Sequence, residues 1–321
     1  MVDRARVAVL ISGNGTNMAA LVYAAKAADC PFEIVLVASN NPGAAGLSLA
    51  SAEGIPTFAH SHKGLKRAEF DTLIDVELRK ARADTVALAG YMRLLSPEFV
   101  AKWAGRMLNI HPSLLPKYKG LDTHERAIAE GDCVAGCSVH IVTPELDDGP
   151  VLGQTEVAII AGDTPETLAA RTLIAEHQLY SRVLAAFVSR EQQPQWVEAK
   201  LNTLALSLPE TTLRASHGAP GWRVGGDKTG KYFAYFAQHH HGEASMALLV
   251  KTSGAEEQAM LIEQDDALYY SPQYYSAAGW IGIRLDQGRN DWDHIADWLR
   301  KSWMAVAPAK LRQSFSIADQ F

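Results

Sequence analysis

A regular alternation of short apolar segments with longer helical ones, between residues 6 and 113, constrains the fold more than any other feature of the chain. The apolar segments are rich in β-branched residues, and in order they read RVAVLIS, FEIVLVAS, PTFAHS, TVALAGY and MLNIHPS. Segments of helical character follow Thr16, Gly43, Lys66 and Pro97. Near-continuous apolar strands separated by helices predict βαβ units, which form a parallel sheet covered on both faces. We therefore expect an α/β fold in which ligands bind at the carboxyl ends of the strands.

The pattern changes after Gly136, where CSVHIVTPELDDGPVLGQTEVAII reads as two strands joined by a turn. This segment predicts an antiparallel edge on an otherwise mostly parallel, Rossmann-like sheet. A long amphipathic helix follows, with Thr164 as its N-cap and Pro165 at its first helical position. A full capping box has Glu or Gln three residues after the cap, where this chain has Thr167, so we expect only half of that motif.

The chain divides near EQQPQ, residues 191–195, a polar segment with a proline that we interpret as a linker. Aromatic content rises beyond it, since six of the seven tryptophans and six of the ten tyrosines lie after residue 195. We predict a first domain over residues 1–190 and a second over residues 196–321. The second domain mixes helical segments with a hairpin-like one, which predicts a smaller α/β (α+β) domain with an antiparallel sheet.

Charge and composition disfavour several classes of protein. The formal net charge is -6 and both predicted domains are slightly acidic, so nucleic acid is not the expected partner. No apolar run approaches the roughly 18 residues of a membrane span, and the opening MVDRARVAVLISG is too short for a secretory signal. Cys30, Cys133 and Cys137 are too few for a disulfide framework and lack partners at the spacing of a zinc site. We expect a reduced, cytoplasmic protein without a metal.

SGNGTN, residues 12–17, follows the first strand and precedes a helix. Glycines let the backbone approach a ligand, and loop amides at a helix N-terminus attract an anion. A dinucleotide-binding loop would need a third glycine, where Met18 stands, and an acidic residue at the end of the second strand, where Ser39 and Asn40 stand. The loop therefore favours a single phosphate over a nicotinamide cofactor, and a tight turn without a ligand fits it equally well.

Asn109 and His111 lie two residues apart on a predicted strand, so both side chains project from the same face. An amide beside an imidazole can stabilise an oxyanion. ELDDGP, residues 145–150, supplies Asp147, which would orient the ring of His111 and raise the pKa of its imidazole. A histidine of this kind is also commonly structural, and we interpret His140 in that way.

AGYMRLLSP, residues 89–97, leaves the fourth strand at the same expected edge of the sheet. Its backbone could meet a planar heterocycle. The alternative is that Met92, Leu94 and Leu95 only pack into the core.

ISGNGTN, AGYMRLLSP, NIHPSLLPKYKGLDTH and SVHIVTPELDDGP, in this order, resemble the glycinamide ribonucleotide (phosphoribosylglycinamide) formyltransferases of de novo purine biosynthesis over residues 6–190. The resemblance implies transfer of a formyl group from 10-formyltetrahydrofolate to the amino group of phosphoribosylglycinamide, without a metal or a covalent intermediate. It implies a catalytic set of Asn109, His111 and Asp147. It also implies ribonucleotide binding by Gly15, Thr16, Asn17 and Glu176, and folate binding by Arg67, Met92, Arg93, Leu94, Leu95 and Asn109.

The second domain resembles the MmcQ/YjbR-like modules in LSLPETT, WRVGGDKTGKYFAYF, YYSAAGWIGIRLD and WDHIADWLRKSWMAVAPAKL. The function of those modules is mostly undefined, and an unidentified partner of this domain is left open. We interpret His239, His240 and His241 as a polar turn rather than a metal site. YYSPQYY, residues 269–275, could stack against bases or rings, but because Lys and Arg do not surround it in sequence we favour packing.

Two further functions are left open by the sequence. One is a related folate enzyme, either a 10-formyltetrahydrofolate hydrolase or a methionyl-tRNA formyltransferase. The hydrolase should differ after the catalytic histidine, where Pro112 stands, and should carry an N-terminal regulatory domain; the tRNA enzyme should have a basic C-terminal domain. The other is a binding protein whose C-terminal module carries the function, against which the presence of Asn109, His111 and Asp147 argues.

Overall fold

The computed structural model describes residues 4–216, 218–226, 229–239, 244–287 and 290–318, with side chains described up to residue 313. The chain divides into two compact units, residues 1–188 and 189–321. A short 3-10 helix, Arg190–Gln192, lies in the predicted linker, and the next helix already begins at Pro194. The domain boundaries at residues 190 and 196 stay a prediction.

The first unit is built on one seven-stranded sheet in the order β3-β2-β1-β4-β5-β6-β7. The strands are β1 Ala5–Ile11, β2 Phe32–Ser39, β3 Thr57–Ala59, β4 Thr85–Leu88, β5 Met107–His111, β6 Val134–Ile141 and β7 Val151–Ala158. The pairs among β1 to β5 are parallel, whereas β6 pairs antiparallel with both β5 and β7. The predicted mostly parallel sheet with an antiparallel edge is confirmed.

Helices cover both faces of this sheet. They are α1 Thr16–Ala24, α2 Ala45–Ala52, α3 Arg67–Lys80, α4 Pro97–Lys102, α5 Thr123–Ala129 and α6 Pro165–Val188. Alternate residues of β1 enter different cores: Val7 and Val9 pack with α1 and α6, and Ala8 and Leu10 pack with α3 and α4. Because the central strands are buried on both sides, they read as continuous apolar runs.

The long helix α6 is fixed at its start and at its middle. Thr164 and Thr167 form a reciprocal pair, in which the N–H of Thr164 donates to Thr167 Oγ1 at 3.0 Å and the N–H of Thr167 donates to Thr164 Oγ1 at 3.4 Å. The expectation of half a capping box is therefore wrong, because a threonine hydroxyl replaces the carboxylate as acceptor. Further along, the buried Tyr180 hydroxyl lies 3.1 Å from the carbonyls of Leu88 and Leu108, which ties α6 to β4 and β5.

Hydrogen bonds join the segments that leave β1, β2 and β4. The N–H of Ser12 donates to the carbonyl of Gly90 at 3.1 Å, and its hydroxyl donates to Asn40 Oδ1 at 2.6 Å. The same hydroxyl accepts from the N–H of Met92 at 2.8 Å. The carboxyl ends of three strands are therefore held together at the edge where α/β sheets bind ligands.

The second unit has a separate six-stranded antiparallel sheet in the order β12-β13-β11-β10-β9-β8. Its strands are β8 Thr211–Leu213, β9 Gly221–Val224, β10 Lys231–Gln238, β11 Met246–Lys251, β12 Tyr269–Tyr270 and β13 Trp280–Arg284, and its helices are α7 Pro194–Leu206, α8 Ala255–Gln264, α9 Trp292–Val306 and α10 Ala309–Ala318. Helices α7 and α9 pack on one face of the sheet, around Trp222, Phe233 and Trp303. The predicted antiparallel sheet is confirmed.

Two further points concern the three consecutive histidines and the question of a membrane-spanning helix. His239 follows β10 with φ 48°, whereas His240 and His241 lie outside the described residues. In the described part of the chain, no helix combines the length and the apolar character needed to cross a membrane.

We expect Gly149→Ala to destabilise the first unit. A Cβ at this position would lie 1.8 Å from the carbonyl oxygen of Ile141, so the segment between β6 and β7 would have to move. Overpacking of this kind costs about 1–3 kcal/mol of unfolding free energy, which chemical denaturation would measure. Gly13→Ala is the matched control, since a Cβ there meets nothing within 4 Å. Equal stability of the two variants would contradict the prediction.

Candidate active site

Strand β5 carries two polar side chains on one face. In its antiparallel pairing with β6, Asn109 lies opposite His140 and His111 lies opposite Ser138. His111 is only 5% exposed, and Asn109 is half-buried. The alternation of the strand therefore places the amide and the imidazole together, as the spacing in the sequence predicted.

Asp147 reaches the same place from the segment between β6 and β7. Its backbone is left-handed, with φ 49°. Its Oδ2 lies 3.4 Å from His111 Nδ1 and accepts from the N–H of Gly120 at 3.0 Å, and its Oδ1 lies 3.5 Å from Asn109 Nδ2. The structure thus brings Asn109, His111 and Asp147 into one cluster, while their catalytic assignment stays a prediction.

His140 belongs to this cluster, although the sequence interpretation treated it as structural. Its Nε2 lies 3.1 Å from Asn109 Nδ2 and 3.5 Å from Asp147 Oδ1, and its Nδ1 lies 3.0 Å from the carbonyl of Ile141. Because that carbonyl takes the Nδ1 proton, Nε2 accepts from the amide of Asn109. The one signal in the sequence was the antiparallel edge, since the register across it places residue 140 opposite residue 109.

The Asp147 carboxyl is ionised in this site. Burial acts to raise its pKa, but the neighbouring imidazole of His140, the Gly120 N–H and the charge of His111 act more strongly in the opposite direction. The net result is a pKa below the ordinary value. A buried carboxylate with several donors keeps its charge at neutral pH.

The imidazole of His111 responds differently to the same environment. Burial lowers its pKa, and this outweighs the carbonyl of Tyr118 and the carboxylate of Asp147, which both act to raise it. Asp147 therefore acts on this pKa in the predicted direction, but the net pKa lies below its ordinary value because desolvation dominates. His111 Nε2 lies 2.9 Å from the Tyr118 carbonyl, which holds a proton on Nε2. Nδ1, beside Asp147, is then the nitrogen that gains and loses a proton.

The glycine loop after β1 meets a buried pair of polar side chains. Gly15 has φ 70° at the N-cap of α1, and a Cβ there would lie 2.9 Å from Met18 Cε. Asn17 Nδ2 donates to Glu176 Oε2 at 2.6 Å, and Thr16 is exposed beside them in sequence. Burial raises the pKa of Glu176, and the Asn17 hydrogen bond opposes this only in part. The structure therefore joins Asn17 and Glu176, which are 159 residues apart.

The segment after β4 leaves large apolar side chains in solvent. Met92 is 69% exposed and Leu94 is 53% exposed, so the core-packing alternative is wrong for both, whereas Leu95 packs against the core under α3 and α4. The Arg93 guanidinium lies 5.0 Å from the centre of the Phe70 ring. Exposed apolar groups beside a strand end suit a flat, largely apolar ligand.

Two further points concern Arg67 and metal binding. Arg67 is exposed at the first residue of α3. Among the residues for which the structure gives positions, no group of three or more His, Cys, Asp and Glu side chains is arranged to hold a metal ion.

Comparison with protein families gives two matches. Residues 5–184 match the model described as formyl transferase, which covers more than half of the chain. The chain belongs to the formyl transferase family. Residues 206–305 match the YjbR model, so both resemblances inferred from the sequence are confirmed.

Individual relatives agree with the family. The phosphoribosylglycinamide formyltransferase of Escherichia coli (strain K12) is 44% identical over 56% of this chain and 86% of its own length. The trifunctional purine biosynthetic protein adenosine-3 of Bos taurus is 47% identical over 58% of this chain, but the chain spans only 18% of that protein. The crystal structure of phosphoribosylglycinamide formyltransferase from Brucella melitensis is 49% identical, with a TM-score of 0.56, over 58% of this chain and 96% of that one.

We expect the pKa of His111 to lie below 6.5 and to fall further in Asp147→Asn, because the carboxylate is a group that raises it. NMR titration of the imidazole signals would measure both values. Asp148→Asn is the matched control, since Asp148 is exposed and pairs with Lys119. A His111 pKa that rises in Asp147→Asn would contradict the assignment.

The same shift predicts a pH dependence of stability. Because the folded state disfavours the imidazolium, His111 stabilises the fold above pH 6.5, and this contribution is lost as the pH falls through the lowered folded-state pKa.

Proposed function

We propose that this chain transfers the formyl group of 10-formyltetrahydrofolate to the amino group of phosphoribosylglycinamide, a step of de novo purine biosynthesis. The observation that carries the proposal is the cluster of the buried His111 and Asp147 with the half-buried Asn109. It lies in a chain that is 44% identical, over 56% of its length, to the phosphoribosylglycinamide formyltransferase of Escherichia coli. The reduced, cytoplasmic location expected from the sequence is part of this proposal.

The first requirement of the reaction is stabilisation of negative charge. The amine nitrogen attacks the formyl carbon, and the carbonyl oxygen becomes an alkoxide. One N–H of the Asn109 amide is used by His140, and the other has only a 3.5 Å contact with Asp147. That second N–H is the donor available to the alkoxide, and a donor of this kind in a water-poor site contributes about 3 kcal/mol to the transition state.

The second requirement is movement of a proton. The attacking amine becomes cationic as its bond to the formyl carbon forms. Neutral His111 can accept this proton at Nδ1, where the carboxylate of Asp147 lies 3.4 Å away and stabilises the resulting imidazolium. The bond between the formyl carbon and N10 of the folate then breaks, and the proton passes to N10, directly or through a water.

The remaining residues position the two substrates. We assign the phosphate of the ribonucleotide to the loop with Gly15 and Thr16, and its sugar side to Asn17 and Glu176. We assign the folate to Asn109, to Arg67 at the start of α3, and to the segment after β4, namely Met92, Arg93, Leu94 and Leu95. Holding both substrates in one cleft supplies the proximity that a reaction between two molecules needs.

We expect His111→Ala and Asp147→Asn to lower kcat by about 10²–10⁴ while ribonucleotide binding stays nearly unchanged, because both groups act on the proton in transit. Loss of the formyl donor, followed with and without phosphoribosylglycinamide, measures this. His60→Ala is the control, since His60 follows β3, four strands from β5 in the sheet. Normal turnover in either catalytic variant would contradict the roles proposed, and donor loss without the amine would indicate a hydrolase.

Glu176→Gln and Asn17→Ala should separate binding from chemistry. Each weakens a buried hydrogen bond between an amide and a carboxylate, which is worth about 1.5–3 kcal/mol. We expect KM for the ribonucleotide to rise about tenfold or more, with kcat within a factor of about three. The exposed Gln178→Ala, on the same helix, should behave as the unsubstituted protein. A fall in kcat at constant KM would argue against a binding role.

A further inference from the structure

Asp71, on α3, is a buried carboxylate that the proposed reaction does not use. It is only 2% exposed. Its Oδ2 accepts from the N–H of Ser96 at 2.6 Å, across 25 residues of sequence. Its Oδ1 is buried and has no hydrogen-bond partner among the described residues. Because burying a carboxylate with so few donors is costly, stability alone does not explain this residue.

Ser96 ends the segment that follows β4, residues 92–96. As the N-cap of α4, its hydroxyl accepts from the N–H of Phe99 at 3.3 Å. Its side chain therefore caps the helix, whereas its backbone N–H bonds to Asp71. At the other end of the segment, the N–H of Met92 donates to Ser12 Oγ at 2.8 Å. The segment is thus held at its first residue by the loop after β1 and at its last residue by α3.

Between these two anchors the backbone is free of bonds to the protein. No described residue makes a hydrogen bond with the backbone N–H or carbonyl groups of Arg93, Leu94 or Leu95. Free backbone groups of this kind are satisfied by water or by a ligand. A planar heterocycle needs them in fixed positions, so the two anchors decide how well such a ligand binds.

The surroundings of Asp71 tie α3 to the same segment. Phe70 precedes Asp71 on the helix, and the Arg93 guanidinium lies 5.0 Å from the centre of its ring. Tyr91, just before the segment, is buried. Burial and the charge of Asp71 raise the pKa of the Tyr91 hydroxyl, and Arg93 acts in the opposite direction. Asp71 and Arg93 therefore both lie within electrostatic range of Tyr91.

Asp75, one turn further along α3, has a different task. Its Oδ1 accepts from Trp103 Nε1 at 3.0 Å. Its Oδ2 accepts from Lys102 Nζ and from Arg79 Nε, each at 3.1 Å. Both oxygens are used, and two of the three bonds join α3 to the end of α4. The docking of these two helices therefore has an anchor of its own, separate from Asp71.

We propose that Asp71 is a positioning residue for folate binding. Its carboxylate holds the N–H of Ser96, and through it the residues 92–95 on which the folate lies. The inference rests on the proposed function and adds to it a residue that touches neither substrate. Since Arg67 begins the same helix, α3 both supplies one folate contact and fixes the segment that supplies the others.

Calorimetry with 5-formyltetrahydrofolate on the full chain measures folate binding apart from formyl transfer. Asp71→Ala and Asp71→Leu remove the acceptor, and the leucine also fills the vacated space. Each should weaken folate binding by about tenfold or more, the usual effect of losing a hydrogen bond to a charged group. Asp71→Asn keeps an acceptor oxygen and should restore most of the affinity. Binding of phosphoribosylglycinamide should stay unchanged in all three variants.

Two controls separate positioning from stability. Ser96→Ala removes the hydroxyl that caps α4 but leaves the N–H bonded to Asp71. Asp75→Ala removes the anchor between α3 and α4. Both should lower the midpoint of chemical denaturation while folate affinity changes little. A loss of folate affinity in Asp75→Ala equal to that in Asp71→Ala would overturn the inference, because any weakening of α3 would then suffice.

Hydrogen exchange gives a readout that needs no ligand. The buried amide of Ser96 should exchange slowly in the unsubstituted protein and in Asp71→Asn, and faster in Asp71→Leu, while the amides of β5 stay protected. Loss of phosphoribosylglycinamide binding in both Asp71→Ala and Asp71→Leu would show that Asp71 supports the whole unit, and would overturn a positioning role.

The unsubstituted protein distinguishes failure of this inference from failure of the proposed function. Normal folate affinity in Asp71→Ala and Asp71→Leu would overturn the inference alone. An unsubstituted chain that neither binds the folate nor transfers a formyl group would overturn the proposed function, and this inference with it.

Discussion

The buried carboxylate of Asp147 is the interaction on which the first unit depends. A charge removed from water is tolerated only where donors replace the water, and here they are the Gly120 N–H and, at longer range, the amide of Asn109, with the imidazoles of His111 and His140 beside the carboxylate. These groups come from β5, from β6 and from the segment that follows β5. The charge can therefore be held only when the antiparallel edge is in register, so the fold and the site form together.

The same burial has opposite consequences for the two ionisable partners. It disfavours the charged form of each, yet enough donors surround Asp147 to keep it ionised, whereas His111 has too few acceptors to stay protonated. The resting state is then a carboxylate beside a neutral imidazole. Protonation of Nδ1 would place a positive charge 3.4 Å from this carboxylate.

Part of the fold and of the candidate site could be predicted from the sequence, because some inferences need only local periodicity. The apolar runs gave β2 with its observed bounds, and the two-residue spacing placed Asn109 and His111 on one face. Other features depend on distant partners. The contact of His140 with Asn109 requires the register of β5 and β6, and the net pKa shift of His111 requires its depth of burial. The reciprocal pair of threonines at the start of α6 was not predicted, because the capping-box motif expects glutamate or glutamine at the position of Thr167.

In the second unit, too, the surroundings of a segment depend on residues that are distant in sequence. YYSPQYY was interpreted as packing because its neighbours in sequence carry no positive charge, and Tyr269 and Tyr270 are buried as this predicts. One of its neighbours in space does, since Arg284 lies over the ring of Tyr270. A second cation, Lys251, lies beside Trp280, whose ring contacts Tyr275. In both units, antiparallel pairing brings distant residues together. Asn109 and His140 are 31 residues apart in the first unit, and Lys251 and Trp280 are 29 residues apart in the second. The surroundings of a segment cannot be predicted from that segment alone, because neighbouring strands contribute side chains to the same surface.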